Sequence, residues 1–410
     1  MTPLRPSRHR ESAFAPLRTF PSLREMTSLR RRESFFAPLR SFPSLREMIS
    51  RPRRENFFAP LRSFPSLREM TSLRRRENFF APLRTFPSLR EMISRPRHES
   101  LLKSKIFAFI LILQFFFVIA KAQEFYPIWP SGKKPNWNGR AVTDSLYNER
   151  FWRVATPGIY AFPVPRSENK GTTVMICPGG GYEHLSHIYN GFQFARWFNA
   201  HGINAFVLLY RLPDQQDLQQ HELAPSQDAQ RGMRFLRANA SKWGLDPNKI
   251  GVMGISAGGH VATTIGTHFE DVSAIGDSLD KKNYVPDFMI LLSPVITMGK
   301  YANKSSRKNF LRGDTTAAMI AKYSNELQVS SRTPPGFIVH AQNDSTVPVK
   351  NSLLFYNALV ENKVSASIHI FPQGGHNIKL VDNPGSTDLW LDLLVMWLNE
   401  NRFIAPINKK

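Results

Sequence analysis

Residues 249–260 read KIGVMGISAGGH, and the order of residue types in them decides the fold. Lys249–Gly254 has the short, continuous apolar character of a strand buried on both faces. Ala257–His268 continues in small and apolar residues at helical spacing. Between them Gly254-Ile255-Ser256-Ala257-Gly258 forms a G-x-S-x-G sequence at a strand-to-helix turn. A serine there sits on strained backbone, and only small neighbours let the chain pack closely around it. The helix N-terminus below favours negative charge developing beside the serine. Ser256 is therefore a candidate nucleophile, against the plainer reading of a glycine-rich turn.

Outward from this turn, short apolar or β-branched runs alternate with amphipathic stretches. The expected strands are 158–164, 172–177, 203–209, 249–254, 287–292, 336–341 and 366–371. The expected helices are 191–200, 226–243, 257–268, 350–362 and 387–401. This alternation predicts an α/β domain, a mostly parallel, doubly wound sheet with helices on both faces and a small cap or none. Functional residues in such sheets gather where strands end.

Three further strand ends carry chemistry. CPGGGYEH (177–184) exposes consecutive glycine N–H groups, and those of Gly180 and Gly181, with that of Ala257, are candidates to face an oxyanion. A phosphate cradle is the rival reading, but no G-K-[ST] follows. HAQNDSTVPV (340–349) offers Asp344, either to orient a histidine or as a turn residue before Pro348. PQGGHNI (372–378) offers His376. In the order Ser256, Asp344, His376, these residues suit a serine nucleophile, an imidazole base and a carboxylate that fixes the imidazole tautomer. Tyr182 and His184, beside the glycine loop, are candidate substrate contacts, and His187 and His221 also lie in loops. His260, His340 and His369 fall in helix or strand and read as packing residues. The polar, basic stretch 297–334 is too long for a simple connection and could form part of a substrate-binding rim. Cys177, the single cysteine, supports neither an intramolecular disulfide nor a cysteine metal site. No His/Cys cluster has zinc spacing and no carboxylate pair has glycosidase spacing, so neither metal nor cofactor is expected.

The net charge of +22 over 410 residues is uneven. Residues 1–122 carry 25 Lys and Arg against 9 Asp and Glu, leaving 29 against 23 for the rest. The high overall pI is thus no nucleic-acid footprint for the region 123–410. Within 1–100 a 22-residue unit repeats, its Ala-Pro pairs falling at 15–16, 37–38, 59–60 and 81–82. Prolines interrupt any helix and no apolar stripe could be buried between stacked copies, which argues against a solenoid. A translation start placed too early and a disordered basic arm are the two readings, with true starts at Met92 or near Leu101 under the first. Residues 101–122 show Lys103 and Lys105, an apolar run Ile106–Ala120, then Ala120-Lys121-Ala122. That is the layout of a secretory signal cleaved after Ala122. As a helix the run spans roughly 22 Å, short of the ~30 Å hydrocarbon core, though an uncleaved signal-anchor is the alternative. The expected location is secreted or periplasmic, with membrane contact only transient, through that segment.

These motifs, with ARWFNAHGINAFVLLYRLP (195–213) and PSQDAQRGMRFLRANASKWGLDPNKIGVMGISAGGH (225–260), resemble the α/β-hydrolase superfamily. More narrowly, they are similar to bacterial secreted esterases related to acetyl xylan esterases. The resemblance covers nearly all of 124–404 and none of 1–100. It departs where Pro178 stands before the glycines, at a point where lipase-like sequences read HGGG. It implies a metal-independent serine esterase acting on acetyl or other short acyl groups of plant polysaccharides, with an acylated carbohydrate or small ester as partner. A general carboxylesterase or lipase, a prolyl-oligopeptidase-type peptidase and a non-catalytic binding protein on the same scaffold are the rival readings.

Overall fold

The computed structural model describes residues 123–376 and 378–404. The repeat 1–100 and the signal-like segment 101–122 lie outside the described residues. The strands are β1 (Phe125–Pro127), β2 (Ser145–Tyr147), β3 (Arg150–Arg153), β4 (Gly158–Phe162), β5 (Thr173–Cys177), β6 (Asn204–Leu209), β7 (Ile250–Ile255), β8 (Met289–Leu292), β9 (Gly336–Ala341) and β10 (Ala366–Phe371). Eight of them form one sheet in the order β1-β4-β6-β5-β7-β8-β9-β10. From β6 to β10 every pairing is parallel, while β4 runs antiparallel to β6 and β1 to β4. β2 and β3 make a separate hairpin.

Parallel neighbours need crossovers, and the helices that supply them cover both sheet faces. Because side chains alternate along a strand, β5 sends Val174 and Ile176 into one core and Met175 and Cys177 into the other. Helices α1 (Gln193–Ala200) and α8 (Trp390–Glu400) meet the first face through Phe194, Phe198, Trp390, Leu394 and Trp397. Helices α2 (Ala224–Ala238), α4 (Ala257–Thr267) and α7 (Lys350–Glu361) meet the second through Met233, Leu236, Val261, Ile265, Phe355 and Leu359. Each such fully buried side chain contributes about 1.5–3 kcal/mol relative to exposure. The central strands are therefore apolar on both faces, whereas the edge strand β10 is only half-buried.

All seven expected strands and all five expected helical regions are present. The expected helix 226–243 is broken at Asn239, leaving a short helix α3 (Ala240–Trp243). The stretch 297–334 folds into α5 (Lys304–Leu311) and α6 (Ala317–Lys322), with Asn303 and Thr316 capping them through side-chain acceptors. Residues 129–135 are tied down by a buried ion pair. Arg211 and Asp228 are both inaccessible and 2.8 Å apart, with Arg211 also donating to Pro135 O and Trp129 Nε1 to Asp228. Along α2, Arg231, Arg234 and Arg237 pair in turn with Asp277, Asp271 and Asp287, pinning the loop that leads into β8. Among the described residues no helix is long and apolar enough to cross a membrane.

Candidate active site

Ser256 stands between the end of β7 and the start of α4 with φ 56° and ψ −122°. Few non-glycine residues occupy that region, and the surrounding structure must hold it there. It does so through Ser256 N to Leu292 O at 3.1 Å and Val295 N to Ser256 O at 2.9 Å. Gly258 makes the turn possible in a second way: a Cβ there would lie 2.0 Å from Cys177 O. Only a residue without a side chain lets α4 come this close to the end of β5.

The structure brings the three expected polar residues into one hydrogen-bonded chain. His376, on the loop after β10, places Nε2 2.9 Å from Ser256 Oγ and Nδ1 2.7 Å from Asp344 Oδ2. A carboxylate only accepts, so Nδ1 carries the proton and Nε2 presents its lone pair to the serine hydroxyl. Asn343 accepts from Gly375 N at 2.8 Å and so ties the His376 loop to the end of β9. Asp344 is buried, and burial alone would raise its carboxyl. The hydrogen bonds from His340 and His376, the charge His376 carries once protonated, and the Val347 N–H outweigh this and hold it well below the usual carboxylate range. Its Oδ1 takes the N–H groups of Thr346 and Val347, each at 2.8 Å.

The glycine loop lies across from the serine. Gly180 has φ 141°, and a Cβ on it would sit 1.9 Å from His184 O. The loop closes on itself through Glu183 N to Gly180 O and Ser186 N to Gly179 O. Among the described residues the N–H groups of Gly180, Gly181 and Ala257 donate to no protein acceptor. Gly180 and Gly181 share a cavity of about 620 Å³ with Ser256 and His376.

Tyr182 corrects the sequence expectation. Its side chain is fully buried, 2.7 Å from His260 Nδ1 and packed against Phe310, so it is a core residue and not a substrate contact. The positive φ of 60° at Tyr182 turns the large ring beneath the loop. His260 is neutral there, because burial pushes its imidazole down to about 4. His184 does line the cavity, half-buried against Trp152, with burial and then Arg150 lowering its imidazole. His187 is buried between Phe151 and Phe192, and neither it nor His221 lines the cavity. Among the described residues no group of three His, Cys, Asp or Glu converges as a metal site.

Two parts of the site escaped sequence reasoning. Asn148, Glu149 and Arg150, at the tip of the β2–β3 hairpin, form one wall of the cavity. The hairpin is clipped to the glycine loop by reciprocal bonds between Phe151 and Leu185 at 3.1 and 2.8 Å. Its two-residue turn uses Asn148 and Glu149, both at positive φ, and Asn-Glu is a weaker turn signal than Asn-Gly. The other is His340, buried on β9, whose Nε2 lies 3.1 Å from Asp344 Oδ2. Asn303, Ser305 and Ser306 supply a further wall, as the polar character of 297–334 led one to expect.

The BD-FAE family profile matches residues 161–359. A solved structure, an acetyl ester-xyloside bifunctional hydrolase from Caldicellulosiruptor lactoaceticus, is 32% identical and superimposes with a TM-score of 0.61, covering 70% of this chain and 99% of that one. The chain belongs to the BD-FAE family of α/β-hydrolases. Two curated relatives are each 36% identical: endo-1,4-beta-xylanase B of Butyrivibrio fibrisolvens over 227 residues and acetylxylan esterase of Xylanibacter ruminicola over 211. These matches take in 55% and 50% of this chain but only 35% and 41% of the relatives' own lengths. In this BD-FAE chain the matched span holds Ser256 and Asp344, while His376 lies beyond it.

Proposed function

We propose that this chain is a serine esterase that removes acetyl or other short acyl groups from carbohydrates of the xylan type. The observation that carries the reading is the continuous chain Ser256–His376–Asp344 opening onto a polar cavity. Ser256 Oγ attacks the acyl carbon while His376 Nε2 takes its proton, and Asp344 stabilises the imidazolium that results. The tetrahedral oxyanion is met by the N–H groups of Ala257, Gly180 and Gly181, and each such donor is worth roughly 10²–10³ in rate. The sugar hydroxyl leaves with the proton from His376, and water then cleaves the acyl-enzyme by the same route to free the acid.

The carbohydrate part rests on two supports. The wall around the serine is built from Asn, Ser, Glu, Arg and His side chains, which suit a hydroxyl-rich alcohol better than a long acyl chain. The relatives carry acetyl ester and xylan in their names. The basic-apolar-small order of 101–122 supports export to where such a polymer is met.

Two measurements test this. Ser256→Ala is expected to abolish hydrolysis of 4-nitrophenyl acetate while the circular dichroism spectrum is unchanged; wild-type rates in that variant would overturn the mechanism. Mass spectrometry of acetylated xylo-oligosaccharides is expected to show successive losses of acetyl groups with the sugar chain intact. Cleavage of long-chain esters only would instead make the chain a lipase.

A further inference from the structure

Asp344 serves two histidines, and the mechanism above uses one. His376 Nδ1 and His340 Nε2 both approach Asp344 Oδ2, at 2.7 and 3.1 Å. His340 is wholly buried on β9, and its Nε2 is also 3.0 Å from Val347 O. Both neighbours of Nε2 are acceptors, so that nitrogen carries the proton. Its Nδ1 lies 2.7 Å from Ser352 Oγ on α7, whose hydroxyl donates to it. Every polar atom of the ring therefore has a partner, and its tautomer is fixed by the two acceptors at Nε2, to which the Ser352 hydroxyl adapts. The carboxylate's four hydrogen bonds come from Thr346, Val347, His340 and His376.

We infer that His340 is a positioning residue for the proposed esterase reaction: by donating to the Asp344 oxygen that binds His376, it sets how strongly that carboxylate holds the imidazolium and hence the pH at which the site becomes active. This rests on the esterase reading. Each donor on a carboxylate spreads its charge and weakens its pull on a further cation. Taking one away leaves His376 holding its proton to higher pH. The other charged or titratable groups lining the cavity on the His376 side are Glu149 and Arg150 from the hairpin tip, Glu183 and His184 from the glycine loop, and Tyr189 from the turn that follows it. They stay constant in the variants below. On the far side His340 meets the uncharged Ser352.

Two polar substitutions separate positioning from packing. In His340→Gln the amide nitrogen takes the place of Nε2 and keeps the bond to Asp344. In His340→Asn the amide oxygen takes the place of Nδ1, accepts from Ser352, and leaves Asp344 without that donor. For 4-nitrophenyl acetate, His340→Asn is expected to lower kcat about tenfold with KM within about twofold. The acid limb of its kcat/KM profile moves up by about half a pH unit. His340→Gln is expected to recover most of the rate and the wild-type limb. The low-field NMR resonance of the His376 Nδ1 proton, read against pH in both variants, reports the same shift without turnover, and therefore decides the inference even if the esterase reading fails. An unmoved limb and an unmoved resonance in His340→Asn, or equal loss in both variants, would overturn it.

Discussion

The two sides of the cavity are built on different principles. On one side Gly180, Ser256 and His376, with Asp344 buried behind the histidine, stand where β5, β7, β10 and β9 end, in a sheet whose central strands are buried on both faces. On the other, Asn148, Glu149, Arg150, Asn303 and Ser305 project from a two-stranded hairpin and a helical excursion outside that sheet. The first side is held by backbone geometry that admits few residue types at Gly180, Ser256 and Gly258. The second is a polar surface in which several residue types would serve. Rate should therefore depend on the sheet side, and choice of alcohol on the outer wall.

The largest expected effect is on the sheet side. Asp344→Asn keeps the shape but invites the wrong His376 tautomer, and kcat for an aryl acetate should fall roughly 10⁴-fold with the melting temperature little changed. A loss below about tenfold would mean that His376 is oriented by something else. Next comes the brace beneath the glycine loop. His260 is neutral when folded and takes a proton near pH 6.5 when unfolded, its folded value being about 4. Folding stability is thus complete above about pH 6.5 and drains away as pH falls toward about 4, by about 3 kcal/mol. Urea unfolding across that range should show the slope, and His260→Gln should flatten it. Gly258→Ala forces α4 away from β5 and should destabilise by about 1–3 kcal/mol while displacing the serine, read as lost activity and a lower melting temperature together. The smallest effect belongs to the wall. Arg150→Ala and Ser305→Ala should each lower kcat/KM for an acetylated xylo-oligosaccharide about five- to tenfold, near 1 kcal/mol. They should leave 4-nitrophenyl acetate within about twofold. Equal losses on both substrates would erase the distinction between the two sides.

The same division governs what could be read from the amino-acid sequence. Ser256 and Asp344 were legible because each follows an apolar run that reads as a buried strand, His376 because it follows a strand-length run at the sheet edge, and the serine further because its turn demands glycines at fixed places. Gly180 and Gly181 were legible for the same steric reason. Tyr182 misled, since proximity in sequence to a glycine loop says nothing about which way a positive φ will throw the ring. His340 was assigned to packing because it falls inside a strand. Only the structure shows that the end of that strand folds back so that Asp344, four residues later, meets it. The hairpin was invisible because its strands are three and four residues long and mostly exposed, with neither a regular alternation nor a glycine in the turn.

The backbone at Ser256 has a consequence for evolution of the fold as well as for its chemistry. At φ 56° and ψ −122° a side chain is tolerated only because the surrounding sheet and helix enforce it, and glycine would relax there at once. Ser256→Gly is therefore expected to yield an inactive protein that melts a few degrees higher, roughly the response to 1 kcal/mol in a domain of this size. Selection for heat tolerance alone would remove the proposed nucleophile. A serine at that position is thus held against the folding preference of the backbone that carries it.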